Sequence, residues 1–152
     1  MTFIEHAVVL RAPLNLVYTQ WRQVEAYPQF MQGIDSVQRL QANTLIWAGD
    51  FFGEFRVWYT EGGTHIPNQL ITWHTVTGPK QNVVVRFGYI DAETTRLTMQ
   101  TIFEPSDFLS PETAASTVSR RIVDDLRRFK MFIEAQGAHE YAYQMVEELV
   151  LR

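Results

Sequence analysis

The feature that most constrains this chain is a change of hydrophobic period near residue 105. Before it, residues 34–105 read as consecutive strands, with runs at 35–41, 44–50, 54–62, 69–76, 82–90 and 95–104. The last run shows the alternation clearly: Leu97, Met99, Thr101 and Phe103 oppose Thr98, Gln100 and Ile102. Turn chemistry separates the runs, at Gln41-Ala42-Asn43, Gly49-Asp50, Gly62-Gly63, Pro67-Asn68, Gly78-Pro79 and Asp91-Ala92. Connections this short predict antiparallel hairpins.

After residue 105 the steps become three and four. Ser110-Pro111-Glu112 supplies an N-cap serine, a proline at N1 and an acid at the positive end of the helix dipole. Ala115, Val118, Ile122, Leu126, Phe129 and Ile133 form the apolar stripe. On the opposite face, Arg120 can pair with Asp124, Arg121 with Asp125, and Asp124 with Arg128. Gly137 is placed to stop the helix as C′. About 26 helical residues would span roughly 39 Å, enough to cross a sheet. The polar face mixes acids and bases, so the helix reads as a solvated cover rather than a membrane-active lid.

The N-terminal part adds one strand and two short helices. Ile4, His6, Val8 and Leu10 alternate with Glu5, Ala7, Val9 and Arg11 over residues 2–11. Pro13 opens a helix carrying Leu14, Val17, Tyr18 and Trp21, and a second piece at about 23–27 should end before Pro28. The predicted fold is α+β. A twisted antiparallel sheet of six to seven strands wraps round the long C-terminal helix, whose stripe covers the sheet's apolar face. Such a wrap leaves a space between the layers. Residues 1–137 form this domain, and residues 138–152 form a helical extension. Tyr141, Met145, Val146 and Leu149 give that extension an apolar side suited to a partner subunit, a second copy of the chain included.

Composition narrows the function. At 152 residues, one domain is expected. The net charge is −4 and no basic stripe is present, so a nucleic-acid partner is not expected. The absence of cysteine excludes disulfides, thiol catalysis and cysteine-ligated metal, and fits a reducing compartment. No signal peptide and no apolar run of membrane-spanning length is found, so the expectation is a cytoplasmic protein without stable membrane insertion. His6, His65, His74 and His139 lack ligand spacing, so no metal is expected. Neither a G-x-S-x-G elbow nor a glycine-rich phosphate loop occurs, and no cofactor is implied.

Aromatic residues and one arginine carry the candidate chemistry. Trp47, Trp58, Trp73, Phe87, Tyr89 and Phe103 all fall on predicted strands. Arg56 shares a strand face with Trp58 and Thr60. An arginine over an aromatic cavity can hold a carboxylate, phenolate or enolate oxygen, with Tyr59 or Tyr89 supplying a proton. The alternative is that Arg56 faces solvent and the aromatics fill the core. The face of strand 54–62 stays open, because Phe55, Val57 and Tyr59 make its other side more apolar. Arg86 reads as exterior.

Several ordered segments carry a resemblance. "VYTQWRQVEAYPQFM" at 17–31 is similar to V-Y-x-x-W-x-x-x-E-x-x-P-x-F-M. Trp58 comes before Pro67, followed by "ITWHT" at 71–75 and "GPKQNVVVRF" at 78–87. "TTRLTMQTIFEP" at 94–105 and "DDLRRFKMFIE" at 124–134 complete the set. In this order they resemble the polyketide cyclase/dehydrase branch of the START-like, or SRPBCC, helix-grip superfamily over about residues 4–136. Val83 stands where that family often has glycine, and Thr75 replaces its usual serine. The resemblance implies a hydrophobic cavity between sheet and helix. The residues expected to line it are Tyr27, Phe30, Met31, Trp47, Trp58, Trp73, Phe87, Tyr89, Met99, Phe103, Ile122 and Leu126. It implies first a carrier or sensor for a lipid, polyketide or quinone-like molecule. Two alternatives are an aromatase/cyclase/dehydrase and a protein-interaction role like that of ribosome-associated superfamily members. Tyr18 and Trp21 read as fasteners of the first helix, and Tyr27, Phe30 and Met31 as the mouth of the cavity.

Overall fold

The computed structural model describes residues 1–51 and 53–151, without the side chains of 138–145 and 148–151. Seven strands form one sheet: β1 (Thr2–Leu10), β2 (Ile34–Gln41), β3 (Thr44–Asp50), β4 (Phe55–Ile66), β5 (Leu70–Thr75), β6 (Gln81–Asp91) and β7 (Thr94–Phe103). Their order is β1-β7-β6-β5-β4-β3-β2, with every pair antiparallel. Strands β2 to β7 are thus a meander of hairpins, as the short turns predict. β1 closes onto β7 and leaves itself and β2 as the edges.

Between β1 and β2 lie helix α1 (Leu14–Trp21) and a 3₁₀ segment (Val24–Gln29). Pro13 is the N-cap rather than the first helical residue. Pro28 sits inside the 3₁₀ segment instead of following it. The segment closes just beyond it, where Tyr27 O accepts from Phe30 N at 3.1 Å and Met31 N at 2.8 Å. Helix α2 (Ala114–Leu151) shares one core with the buried face of the sheet through its residues Val118 to Ile133.

One sheet face is buried with period two. Trp47, Trp58, Val83, Val85, Phe87, Leu97, Met99 and Phe103 are all core residues. The open question on strand 54–62 resolves accordingly: Trp58 and Thr60 point inward, while Phe55 and Val57 are exposed. α2 returns the stripe Val118, Ile122, Leu126, Phe129 and Ile133. Its first buried position is Ala114 rather than Ala115, because the first turn, Pro111–Thr113, is 3₁₀ and shifts the phase of the face.

The α1 region is the joint between the two layers. Tyr18 meets the Phe87 ring edge-on at 5.5 Å, and Trp21 meets Phe129 of α2 at 5.0 Å. Tyr27 Oη donates to Trp21 O at 2.8 Å, tying the 3₁₀ segment to the end of α1. At the far edge, His6 bonds Ser119 Oγ at 2.7 Å, and Lys130 Nζ reaches Val9 O at 2.8 Å.

Two glycine readings change. Gly62-Gly63 is no turn but lies inside β4, at an irregularity in its pairing with β5. A Cβ on Gly62 would stand 2.5 Å from Asn43 Oδ1, and one on Gly63 2.6 Å from Thr72 Oγ1, so close approach explains the pair. Gly137 does not end α2, which runs through it. Of the apolar side proposed for residues 138–152, Tyr141, Met145 and Leu149 lie outside the described side chains, as does His139, and Val146 is exposed.

Candidate functional site

A cavity of about 100 Å³ opens between the sheet and α2. That is well above the roughly 10–15 Å³ needed to admit one water. Its sheet wall is aromatic. Trp47 and Trp58, cross-strand partners on β3 and β4, lie 5.8 Å apart with only 13° between their planes. Trp47 and Trp73 lie 6.2 Å apart at 30°. The buried Trp47 indole donates from Nε1 to Thr60 Oγ1 at 2.9 Å, which fixes the middle ring. Val83 and Met99 continue the wall on β6 and β7, and Val118 and Ile122 supply the helix side.

A few polar groups interrupt this apolar surface. Thr75, Gln81 and Thr101 form one patch, in which Gln81 Nε2 donates to Thr101 Oγ1 at 3.1 Å and Gln81 N to Thr75 Oγ1 at 3.0 Å. Asp50, Arg121 and Asp125 form a charged cluster. Arg121 donates to Asp50 Oδ2 at 3.2 Å and to Asp50 O at 3.3 Å, joining α2 to the end of β3. Asp125 Oδ1 accepts from Gln32 N at 3.1 Å. Burial raises the Asp125 carboxyl to about 6, against the pull of the Gln32 bond and the Arg121 and Arg128 charges. Such a carboxyl can hold or release a proton close to neutrality. The whole is an apolar chamber with a guanidinium and a protonatable carboxyl on its wall, a pattern common to small-molecule sites.

The sequence-selected residues divide into groups. Met31, Trp47, Trp58, Trp73, Met99 and Ile122 border the chamber. Tyr27 borders a neighbouring cavity and is fully buried, so its phenol is driven well above its ordinary range by desolvation. Phe30, Phe87, Phe103 and Leu126 are packed into the core and do not line the chamber. Phe30 packs against Trp21 at a tilt and against Phe129 edge-on, and Phe103 meets Phe108 edge-on. The structure corrects the placement of three others. Tyr89 shares the strand face of Phe87 but is 68% exposed, because it lies near the end of β6, past the covered part of the sheet. Tyr59 is half-buried on the outer side of β4, opposite to Trp58 and Thr60. Arg56 shares the strand face of Trp58, as the period requires, but sits at the strand's outer end, ion-paired to Glu54 at 2.8 Å and outside the chamber.

The charged cluster is what sequence reasoning missed. Arg121 and Asp125 read as an exterior i,i+4 pair. They immediately precede the stripe residues Ile122 and Leu126, and that adjacency was the signal available. A residue beside the stripe points along the boundary between core and solvent, where a chamber opens. Among the described residues, no group of three or more potential metal ligands converges, and no helix is long and apolar enough to cross a membrane.

A seven-stranded antiparallel sheet gripping a long C-terminal helix, with a chamber between them, defines the START-like helix-grip class. The chain belongs to the polyketide cyclase/dehydrase and lipid transport family, whose model matches residues 10–131. It is 30% identical over 140 residues to a 17.2 kDa protein of the melC2–rnhH intergenic region of Streptomyces lincolnensis, covering 90% of this chain and 93% of that one. Among solved structures it is similar to the Zhui aromatase/cyclase from Streptomyces sp. R1128, with a TM-score of 0.78 and 20% identity over 90% of this chain and 95% of that one. A START superfamily protein from Mycobacterium smegmatis also gives a TM-score of 0.78, at 14% identity over 88% of this chain and 98% of that one. At these identities the two structures speak for the fold.

Proposed function

We propose that this protein is a carrier or sensor that holds a hydrophobic, ring-containing small molecule in the chamber between sheet and α2. The observation that carries this reading is the aligned set Trp47, Trp58 and Trp73 facing Val118 and Ile122 across an open space. Near-parallel indoles offer flat apolar faces to a planar ligand, and Arg121 with Asp125 offers a place for its oxygen. Residues 1–137 constitute the binding unit, and the remainder of α2 is an extension free to pair with a partner or second copy. The protein works in the cytoplasm in this reading.

A second reading, cyclase or dehydrase chemistry, is favoured by Asp125. A carboxyl that titrates near 6 can take an α-proton from a bound ketone, and Arg121 can stabilise the enolate oxygen that results. The similarity in fold to the Zhui aromatase/cyclase is consistent with that reading.

Mass spectrometry of the purified chain under native and then denaturing conditions tests the proposal. The expected result is an organic mass that is present natively, released on denaturation and absent from Val118→Phe, whose ring fills the chamber. A ligand-sized mass retained unchanged by Val118→Phe would contradict the chamber as its site. Arg121→Gln and Asp125→Asn then separate the two readings. If the released molecule is only carried, both variants release it chemically unaltered, as the parent does; an enzyme would yield a different product from parent and variants.

A further inference from the structure

A second cavity, of about 170 Å³, lies beside the tryptophan wall, toward α1. It is bounded by the end of α1, the 3₁₀ segment, the β2–β3 turn and the glycine pair of β4. Its chemistry is opposite to that of the ligand chamber. The chamber has two carboxyls on its wall, whereas the second cavity has none. It has the guanidiniums of Arg22 and Arg39, together with His65, whose Nε2 is bonded to the Tyr18 hydroxyl. Among the described residues, neither arginine pairs with a carboxylate. Arg39 makes only a long 3.4 Å bond to Ala42 O, and Arg22 lies 5.7 Å from the Tyr18 ring centre. In a chain of net charge −4, a cation-lined cavity without an acid is a local reversal of sign.

A second, independent observation concerns Trp21, also part of this wall. Trp21 is 1% exposed, and its Nε1 is buried without a hydrogen-bond partner. Buried indole N–H groups are normally satisfied, and an orphaned one beside a cavity calls for an acceptor there. We propose that this cavity binds an anionic oxygen group, a carboxylate or a phosphate, held by Arg22 and Arg39 with the Trp21 N–H as a further donor. Guanidinium forks suit both anions. Thr60 and Trp73 line both cavities, so the anion is either a free small molecule or the acidic end of a ligand whose body lies in the chamber.

The test is a 15N–1H spectrum of the full chain, in which the four tryptophans give separate indole signals. Trp47→Phe, Trp58→Phe and Trp73→Phe identify three of them, leaving Trp21 by elimination. Inorganic phosphate and octanoate serve as probes. Saturable movement of the Trp21 signal by phosphate alone supports a free-anion site. Movement by octanoate of Trp21 together with the chamber indoles supports the acidic end of a longer ligand. Arg22→Gln and Arg39→Gln should each weaken the responding probe about tenfold. No movement of Trp21 with either probe means the cavity holds only water and overturns the proposal. Movement unchanged in the double Arg22→Gln/Arg39→Gln variant overturns it equally. Neither result bears on the hydrophobic chamber, which the Val118→Phe comparison tests separately.

Discussion

Asp125 is the residue where burial and charge meet most sharply. Its carboxyl is held at about 6 in the fold, above an ordinary value of 3.8. Between those values the folded chain keeps a proton that the unfolded chain releases. This contribution to stability is therefore full below about pH 4 and is lost as pH rises through 6. At one pK unit per 1.36 kcal/mol, the loss is on the order of 2–3 kcal/mol. Asp125→Asn removes the titration and keeps an oxygen for the Gln32 N–H. The variant should match the parent in urea denaturation at pH 3.5 and exceed it by about 2 kcal/mol at pH 7.5. An equal difference at both values would show that Asp125 is not held in its protonated form. The sequence hid this because a charged i,i+4 pair on a helix usually lies in solvent. What decides otherwise is a rotation of the helix by less than one residue's step about its axis. The aromatic positions were more legible as strand residues, but it is the cross-strand register, Trp47 opposite Trp58 and Trp73 opposite Gly62, that puts the three indoles on one face. Not every inward aromatic is cavity wall: Phe30 is packed among Trp21, Tyr27, Phe129 and Phe132, Phe103 is fully buried against Phe108, and nothing in their spacing signals it.

At the scale of elements, strand pairing depends on glycines whose reasons differ. Gly49 lies where β3 approaches the start of β2, and a Cβ there would come 2.3 Å from Gly33 O and 2.9 Å from Ile34 Cα. Both are backbone atoms, so neither can swing away. Gly49→Ala should therefore destabilise the fold by about 3 kcal/mol or more, read as a lowered urea midpoint. A loss below 1 kcal/mol would mean that β2 and β3 part easily at that edge. Gly137 is the opposite case. Apart from its chain neighbours and the backbone of its own helix turn, no described atom lies within 4 Å of a Cβ built there, and the residue is inside α2. Gly137→Ala should raise stability, by at most about 1 kcal/mol, because alanine holds a helix better than glycine. Destabilisation would instead indicate the left-handed stop that the sequence alone suggests. The hairpin meander was readable because each link is short and rich in turn residues. The run of β4 through Gly62-Gly63 was not, because those glycines serve the close approach of Asn43 and Thr72 on the two neighbouring hairpins, which only the pairing register reveals.

For the whole molecule, two layers that do not meet everywhere explain the function proposed. The sheet and α2 close on each other around Phe129 and Ile133, and they separate around Val118 and Ile122. α1 and the 3₁₀ segment wedge the joint through Trp21 and Phe30. Family membership was readable from the ordered segments at 17–31, 71–87, 94–105 and 124–134. The make-up of the chamber was not, since its wall brings together residues from six strands and one helix. The most direct measurement is titration with N-phenyl-1-naphthylamine, a neutral aromatic probe whose emission rises in apolar surroundings. Parent protein should show saturable binding at one site. Val118→Phe should weaken it at least about tenfold, as loss of roughly 1.4 kcal/mol requires. Phe55→Ser, on the exposed outer face of β4, should leave it unchanged. Binding that survives Val118→Phe and disappears with Phe55→Ser would place the hydrophobic site on the outside of the sheet and contradict an internal chamber.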